Sequence, residues 1–124
     1  VNRITGKSIL VAGLTFKEDI DDMRMTFSES LIKKLIEKNL DIDVCDPYLG
    51  LNDYTKLWPS VSNKINKSGK DLPLMLKSKQ YDSIVIAVRH SDFLGHQKLL
   101  NSNGLVIDLW NLYRMLENRI GLGT

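Results

Sequence analysis

The sequence predicts an α/β domain of Rossmann-like type, a doubly wound, mostly parallel sheet with helices on both faces. Short, largely apolar runs rich in β-branched residues recur at residues 9–14, 42–45, 84–88 and 105–109, as strands buried on both faces require. Segments of helical periodicity lie between them. Strand, helix and strand at this spacing form right-handed βαβ units, and such units build a parallel sheet.

The first strand, residues 9–14, is followed by the clearest helix, residues 26–38. Thr26 and Glu29 have capping-box spacing, Phe27, Leu31 and Leu35 with Ile32 and Ile36 form one apolar stripe, and Asn39 ends it. The strand over 42–45 closes in "DPY". Residues 49–69 carry Pro59, several Asn and Ser and only a weak apolar alternation around 58–65, where a short strand is expected near Val61. A helix over 72–79 leads into the strand within "YDSIVIAVRHSDF", followed by a helix over 93–100. "NSNG" turns the chain into the strand over 105–109. Residues 112–119 then suggest a closing helix, and the glycines of "GLGT" a frayed end. No repeat, low-complexity segment or internal domain boundary is visible.

A chain of 124 residues with 43% hydrophobic residues can fill one core without disulfides or a structural metal. Seventeen Lys and Arg against 15 Asp and Glu give a net charge of +2 with no dense basic cluster, which argues against nucleic acid. The single cysteine, Cys45, excludes an internal disulfide and fits a reducing compartment; its apolar run "DIDVCDPY" suits a buried structural thiol. No run approaches the ~18 apolar residues of a membrane span, and no signal sequence is visible. A cytoplasmic protein is expected, with no membrane partner. Because the chain begins with Val1 and not Met, it is expected to be a piece of a longer one.

In a doubly wound sheet, ligands bind beyond the carboxyl ends of the strands, at the switch point of the strand order. If that order is 3-2-1-4-5, the loop after Leu14 lies beside the loop after Val88, and Phe16, Lys17 and Arg24 converge with Arg89 and His90. The first of these loops, "GLTFKEDIDDMR", lacks the G-x-G-x-x-G that lets backbone approach a pyrophosphate: after Gly13 the next glycine is Gly50. Without glycines it must reach phosphate with side chains, and Lys17 and Arg24 supply the charge. The bland alternative is a solvated network with Glu18, Asp19, Asp21 and Asp22, and composition does not separate the two.

The same acidic run lacks the spacing and central glycine of an EF-hand, so a metal site is not expected. Asp22 instead suits fixing the loop or aiming Arg24. His90 and His96 have no Ser, Cys or Asp at a recognisable spacing for a triad or ligand set, which favours surface or packing roles. Asp46 stands where a dinucleotide fold puts its ribose-binding acid, but without the glycine loop "DPY" fits a strand-terminating turn better. Asp108, Trp110 and Asn111 end the last strand on the ligand side; Trp110 is equally suited to core. The residues alone lead to a nucleotide- or phosphate-binding α/β domain without an internal catalytic set, with a structural or dimerising module as the alternative.

The blocks "GKSILVAGLTFKEDIDDMRMTFSESLIKKLIEKNLDIDVCDPY", "YDSIVIAVRHSDF" and "VIDLWNLY" resemble those of the carboxyl-terminal, UDP-binding domain of the UDP-glucose/GDP-mannose dehydrogenase family, over nearly the whole chain. The combination of G-L-x-F-K, D-D-x-R, a helix and a strand closing in D-P-Y is the specific part. Members oxidise C6 of a nucleotide sugar, usually a UDP-hexose, to the uronic acid with NAD⁺, through a thiohemiacetal and thioester on a cysteine. The resemblance therefore implies that residues 1–124 are the UDP-sugar-binding domain of a parent enzyme, in bacterial surface-polysaccharide synthesis. Its partners are implied to be a UDP-sugar, NAD, the enzyme's other domains and further copies in a homo-oligomer. The NAD-binding domain and the central domain with the cysteine are then absent; Cys45 matches no catalytic motif, and the chain alone is not expected to be catalytic.

By the same resemblance, Phe16 and Lys17 match the pair that holds the nucleotide sugar, with Lys17 toward the diphosphate. Arg24 matches the arginine that reaches across to NAD. Where UDP-glucose members read D-x-R-N, this chain has Asp108, Leu109, Trp110 and Asn111, so the usual third cation is missing. Either Arg89 replaces it at the neighbouring strand end, or the enzyme belongs to the branch acting on UDP-N-acetylhexosamines, toward which "AVRHSDF" and "GLTFKE" lean.

Overall fold

The computed structural model describes residues 7–14, 27–48, 58–59, 61–88, 90–93, 96, 100, 104–108 and 119–121. Among the described residues six strands form one sheet: β1 (Ser8–Ala12), β2 (Asp41–Cys45), β3 (Ile65–Gly69), β4 (Ser83–Ile86), β5 (Leu105–Asp108) and β6 (Arg119–Gly121), in the order β3-β2-β1-β4-β5-β6. Every pairing is parallel. The order reverses at β1, which lies between β2 and β4 and thereby puts the switch point at its carboxyl end.

Both faces of the sheet are covered, which explains the absence of polar alternation in β1 and β4 at its centre. Ile9 and Val11 point to one side, with Val44, Val85 and the buried Leu31, Ile32 and Leu35 of helix α1 (Phe27–Glu37). Leu10 and Ala12 point to the other, with Ile84, Ile86 and the buried Leu72, Met75 and Leu76 of helix α2 (Leu72–Ser78). Alternate residues of one strand thus enter different cores.

Each helix has a readable end. Asn39 adopts φ 60°, its N–H donates to the Ile36 carbonyl at 2.9 Å, and the Leu40 N–H donates to the Leu35 carbonyl at 3.3 Å. This is the paired bonding of a Schellman cap, with asparagine tolerating the left-handed conformation. At the start of α2, the Asp71 side chain accepts the Leu74 N–H at 3.0 Å, occupying a donor that a helix start leaves without a partner.

The central strands, α1, α2 and the strand order agree with the sequence reading; three regions correct it. Val61 is not in a strand: it precedes a 3₁₀ turn (Ser62–Lys64), and β3 begins at Ile65. The fully buried Trp58 and the buried Val61 pack into the α1-side core, so the apolar signal around them came from core loop residues. Phe93, expected to open a helix, ends a 3₁₀ turn (Ser91–Phe93); Leu100, at the other end of the expected helix, is helical and donates its N–H to the His96 carbonyl at 3.1 Å, while residues 94–95 and 97–99 lie outside the described residues. Arg119 and Gly121, read as helix end and frayed tail, belong to β6, where parallel pairing with β5 satisfies their backbone. The rest of the expected closing helix, and Thr26 of the capping box, lie outside the described residues.

Candidate functional site

The carboxyl ends of β1, β2 and β4 come together over the switch point. Backbone bonds extend the pairing past the strands: Gly13 N–H donates to the Cys45 carbonyl at 2.8 Å, and Ala87 N–H to the Ala12 carbonyl at 2.8 Å. Gly13 has φ +101°, and a Cβ built on it would stand 2.6 Å from both the backbone nitrogen and the Cβ of Val88. Glycine is required here because the two strand exits touch backbone to backbone. The expected neighbourhood of the loops after Leu14 and Val88 is therefore present at their roots.

Asp46 stands at the centre of this rim. Its carboxylate is buried, 1% exposed. Oδ1 accepts the Tyr48 N–H at 2.8 Å, the local bond of an Asx turn. Oδ2 accepts the Leu14 N–H at 2.7 Å and lies 2.9 Å from Nε2 of His90. An oxygen that already takes an amide hydrogen acts as acceptor, so Nε2 is the donor. His90 is 0% exposed, and its ring lies 5.1 Å from that of Tyr48 and 5.4 Å from that of Phe93, edge-on to the latter. Ser28, buried at the start of α1, donates its hydroxyl to the Gly13 carbonyl at 2.6 Å. The turn reading of Asp46 and the packing reading of His90 both hold, but the pairing of the two was not foreseen.

These bonds decide what the first loop can hold. In a dinucleotide loop the backbone N–H groups after the first strand face the pyrophosphate, and the acid after the second strand faces a ribose. Here the N–H groups of Gly13 and Leu14 already bind protein acceptors, and Asp46 is enclosed by three donors. The described rim does not fit the pyrophosphate of NAD. Among the described residues, the amides of Gly13 and Leu14 and the carboxylate of Asp46 are therefore not open to a phosphate at this switch point.

Cys45, just before Asp46, is fully buried. Burial first, and then the nearby Asp46 and Asp71 carboxylates, push its thiol up from 9.0 to about 12. A buried thiol held in its protonated form is a poor nucleophile. Iodoacetamide at pH 8 is expected to leave Cys45 unmodified in the folded chain and to label it in urea, as intact-mass measurement will read; rapid labelling of folded protein would contradict this placement. Among the described residues no group of three or more His, Cys, Asp or Glu is arranged to hold a metal ion, and no helix is long and apolar enough to cross a membrane.

A second opening, a cleft of about 380 Å³, lies over the ends of β2 and β3, with Pro47, Lys70, Asp71 and Phe93 among its described walls and half-buried His96 at its side. Of the residues read from sequence as ligand-binding, Phe16, Lys17, Arg24, Arg89 and Trp110 lie outside the described residues. Their chain neighbours are described: Leu14 precedes the segment with Phe16 and Lys17, and Val88 and His90 flank Arg89.

An all-parallel sheet of this order, with its loops rooted together at the switch point, defines a Rossmann-like binding domain. Residues 10–115 match the model of the UDP-glucose/GDP-mannose dehydrogenase family, UDP binding domain, and the chain belongs to that family. It is 32% identical over 90 residues to a UDP-N-acetyl-D-glucosamine 6-dehydrogenase of Pseudomonas aeruginosa, covering 73% of this chain and 19% of that protein. It is 31% identical over 119 residues to a UDP-glucose 6-dehydrogenase of Rickettsia bellii, covering 92% of this chain and 26% of the relative. The fold is similar to that in a ternary complex of GDP-mannose dehydrogenase from Pseudomonas aeruginosa, with TM-score 0.66 and 18% identity over 93% of this chain and 28% of the other. A UDP-glucose dehydrogenase from Pyrobaculum islandicum gives TM-score 0.66 at 19% identity, over 95% of this chain and 26% of the other. The chain thus spans roughly a quarter or less of these proteins.

Proposed function

We propose that this chain is the carboxyl-terminal, UDP-sugar-binding domain of a cytoplasmic, homo-oligomeric, NAD-dependent 6-dehydrogenase. The enzyme oxidises a UDP-hexose or UDP-N-acetylhexosamine to the UDP-uronic acid for polysaccharide biosynthesis. Membership of the UDP-binding-domain family is the observation that carries this reading. The names of the relatives support both sugar classes. NAD is assigned mainly to other domains of the enzyme, in keeping with a rim whose amides and carboxylate are already bonded to protein.

In this reading the domain binds and orients; hydride transfer and thioester chemistry belong to the rest of the enzyme. Phe16 provides a face against the nucleotide sugar and Lys17 places its ammonium against the diphosphate. Arg89 and Trp110 complete the sugar-nucleotide side, and Arg24 reaches toward NAD. A lysine paired with a diphosphate in a partly desolvated crevice contributes roughly 1.5–3 kcal/mol as a charge-assisted hydrogen bond. Lys17→Met is therefore expected to weaken UDP binding about tenfold or more by calorimetry, and unchanged affinity in a folded variant removes Lys17 from the site. Arg24→Ala is expected to leave UDP affinity of this chain nearly unchanged and, in the full-length enzyme, to raise the KM for NAD⁺ about ten- to a hundredfold. A variant with ordinary NAD⁺ kinetics would leave Arg24 as a loop brace beside Asp22.

A further inference from the structure

We propose that Asp46 and His90 are positioning residues that set the two ligand-bearing segments of the rim in register with each other. The proposal rests on the UDP-sugar reading of Phe16, Lys17 and Arg89. The Leu14 N–H, 2.7 Å from Asp46 Oδ2, belongs to the last described residue before the segment with Phe16 and Lys17. The His90 Nε2, 2.9 Å from the same oxygen, belongs to the residue after Arg89. One carboxylate oxygen therefore joins the exits of β1 and β4, while Oδ1 anchors the exit of β2 through Tyr48.

The device is stiff for physical reasons. A carboxylate 1% exposed requires donors to offset its desolvation, so the fold does not tolerate the partners drifting apart. The His90 ring is held against Tyr48 and Phe93, so its donor direction is set by packing. On the β1 side, the Ser28 hydroxyl and the Cys45 carbonyl hold Gly13 at 2.6 and 2.8 Å, leaving Leu14 little freedom to rotate. Alignment of this kind matters because binding groups misplaced by about 1 Å lose much of their effect.

Substitutions at His90 separate positioning from packing. His90→Phe keeps an aromatic ring between Tyr48 and Phe93 but removes the donor to Asp46. In His90→Gln the terminal amide reaches about as far as Nε2 and restores a donor without the ring. At a temperature well below each melting transition, His90→Phe is expected to weaken UDP binding about five- to tenfold, and His90→Gln to recover most of that loss whatever its melting temperature. A packing role alone predicts the reverse ranking in stability and no change in the affinity of folded protein, and that result overturns the proposal. Should His90→Phe fail to fold, His90→Asn, whose amide is too short to reach Asp46, takes its place.

Backbone amide resonances of Leu14, Phe16 and Lys17, measured without nucleotide, give a second readout. They are expected to shift in His90→Phe and return toward their original positions in His90→Gln. If the unaltered chain binds no UDP, the proposed function fails, while these resonances still decide the positioning; resonances unmoved by His90→Phe overturn it.

Discussion

Gly13→Ala is expected to lower the stability of the domain by about 2–6 kcal/mol, a large part of the roughly 5–15 kcal/mol that holds a domain together. Two costs add. A residue with Cβ held at φ +101° is strained by about 1–3 kcal/mol. The Cβ would also meet the Val88 backbone nitrogen and Cβ at 2.6 Å, and forcing atoms into a packed site costs about 1–3 kcal/mol more. Neither contact can be relieved by rotating a side chain. Gly69→Ala is the matched control: its Cβ would meet Met75 Sδ at 2.8 Å, and a flexible thioether can move aside, so that variant should lose less than about 1 kcal/mol. Urea unfolding of the three proteins measures the difference. A Gly13→Ala protein within 1 kcal/mol of the parent would mean that the exits of β1 and β4 do not touch as described.

Gly13 also answers the question posed by a first loop with a single glycine. In a dinucleotide fold the glycines admit a ligand; here the glycine admits Val88, and the loop roots close on each other. That glycine was visible in the sequence, but its purpose was not, because Val88 becomes its neighbour only once β4 is known to pair with β1.

The same physical limit explains what could be read and what could not. β1, β4 and β5 announced themselves because strands covered on both faces are written mainly in apolar residues; β2, "DIDVC", was legible from Ile42, Val44 and Cys45 despite Asp41 and Asp43. β3, "INKSG", did not: it is a sheet edge paired only with β2, and its exposed lysine and polar residues are those that protect edges from further pairing. β6 is only three residues long and follows a helical pattern, so its apolar signal was too short to register. At the rim, Asp46 is 32 residues from Leu14 and 44 from His90 in sequence. No local spacing could connect them; strand order does, by placing β2 and β4 on either side of β1. The candidate ligand-binding residues were named from the loop's composition, the expected strand order and family motifs, whereas the groups that root their segments emerge only from the fold.

Alkaline pH is expected to destabilise the domain in a way traceable to Cys45. Its thiol ionises near 9.0 when unfolded and is pushed up to about 12 in the fold. The folded state therefore favours the protonated thiol, and the stabilising contribution is fully present below about pH 9. Between pH 9 and about 12 the unfolded chain releases the proton while the folded chain keeps it, so stability falls as pH rises, by up to about 1.4 kcal/mol per pH unit. Tyr81 acts in the same direction from about a unit higher: burial, together with donation of its hydroxyl to Asp43 Oδ2 at 2.8 Å, raises its ionisation above the usual 10.0. Urea midpoints at pH 8, 9, 10 and 11 for the parent chain, Cys45→Ala and Tyr81→Phe separate the two groups, because the ionisation of exposed lysines is common to all three. Cys45→Ala should start less stable at pH 8 and lose less by pH 11, narrowing the gap by about 1–3 kcal/mol over that range; Tyr81→Phe, less stable from the start for want of the bond to Asp43, should close its gap to the parent only above pH 10. Parallel curves for the parent and Cys45→Ala would show that the thiol is not held in the apolar, acid-flanked place beside Asp46, and with it the tight packing of the β2 exit against the rim would have to be given up.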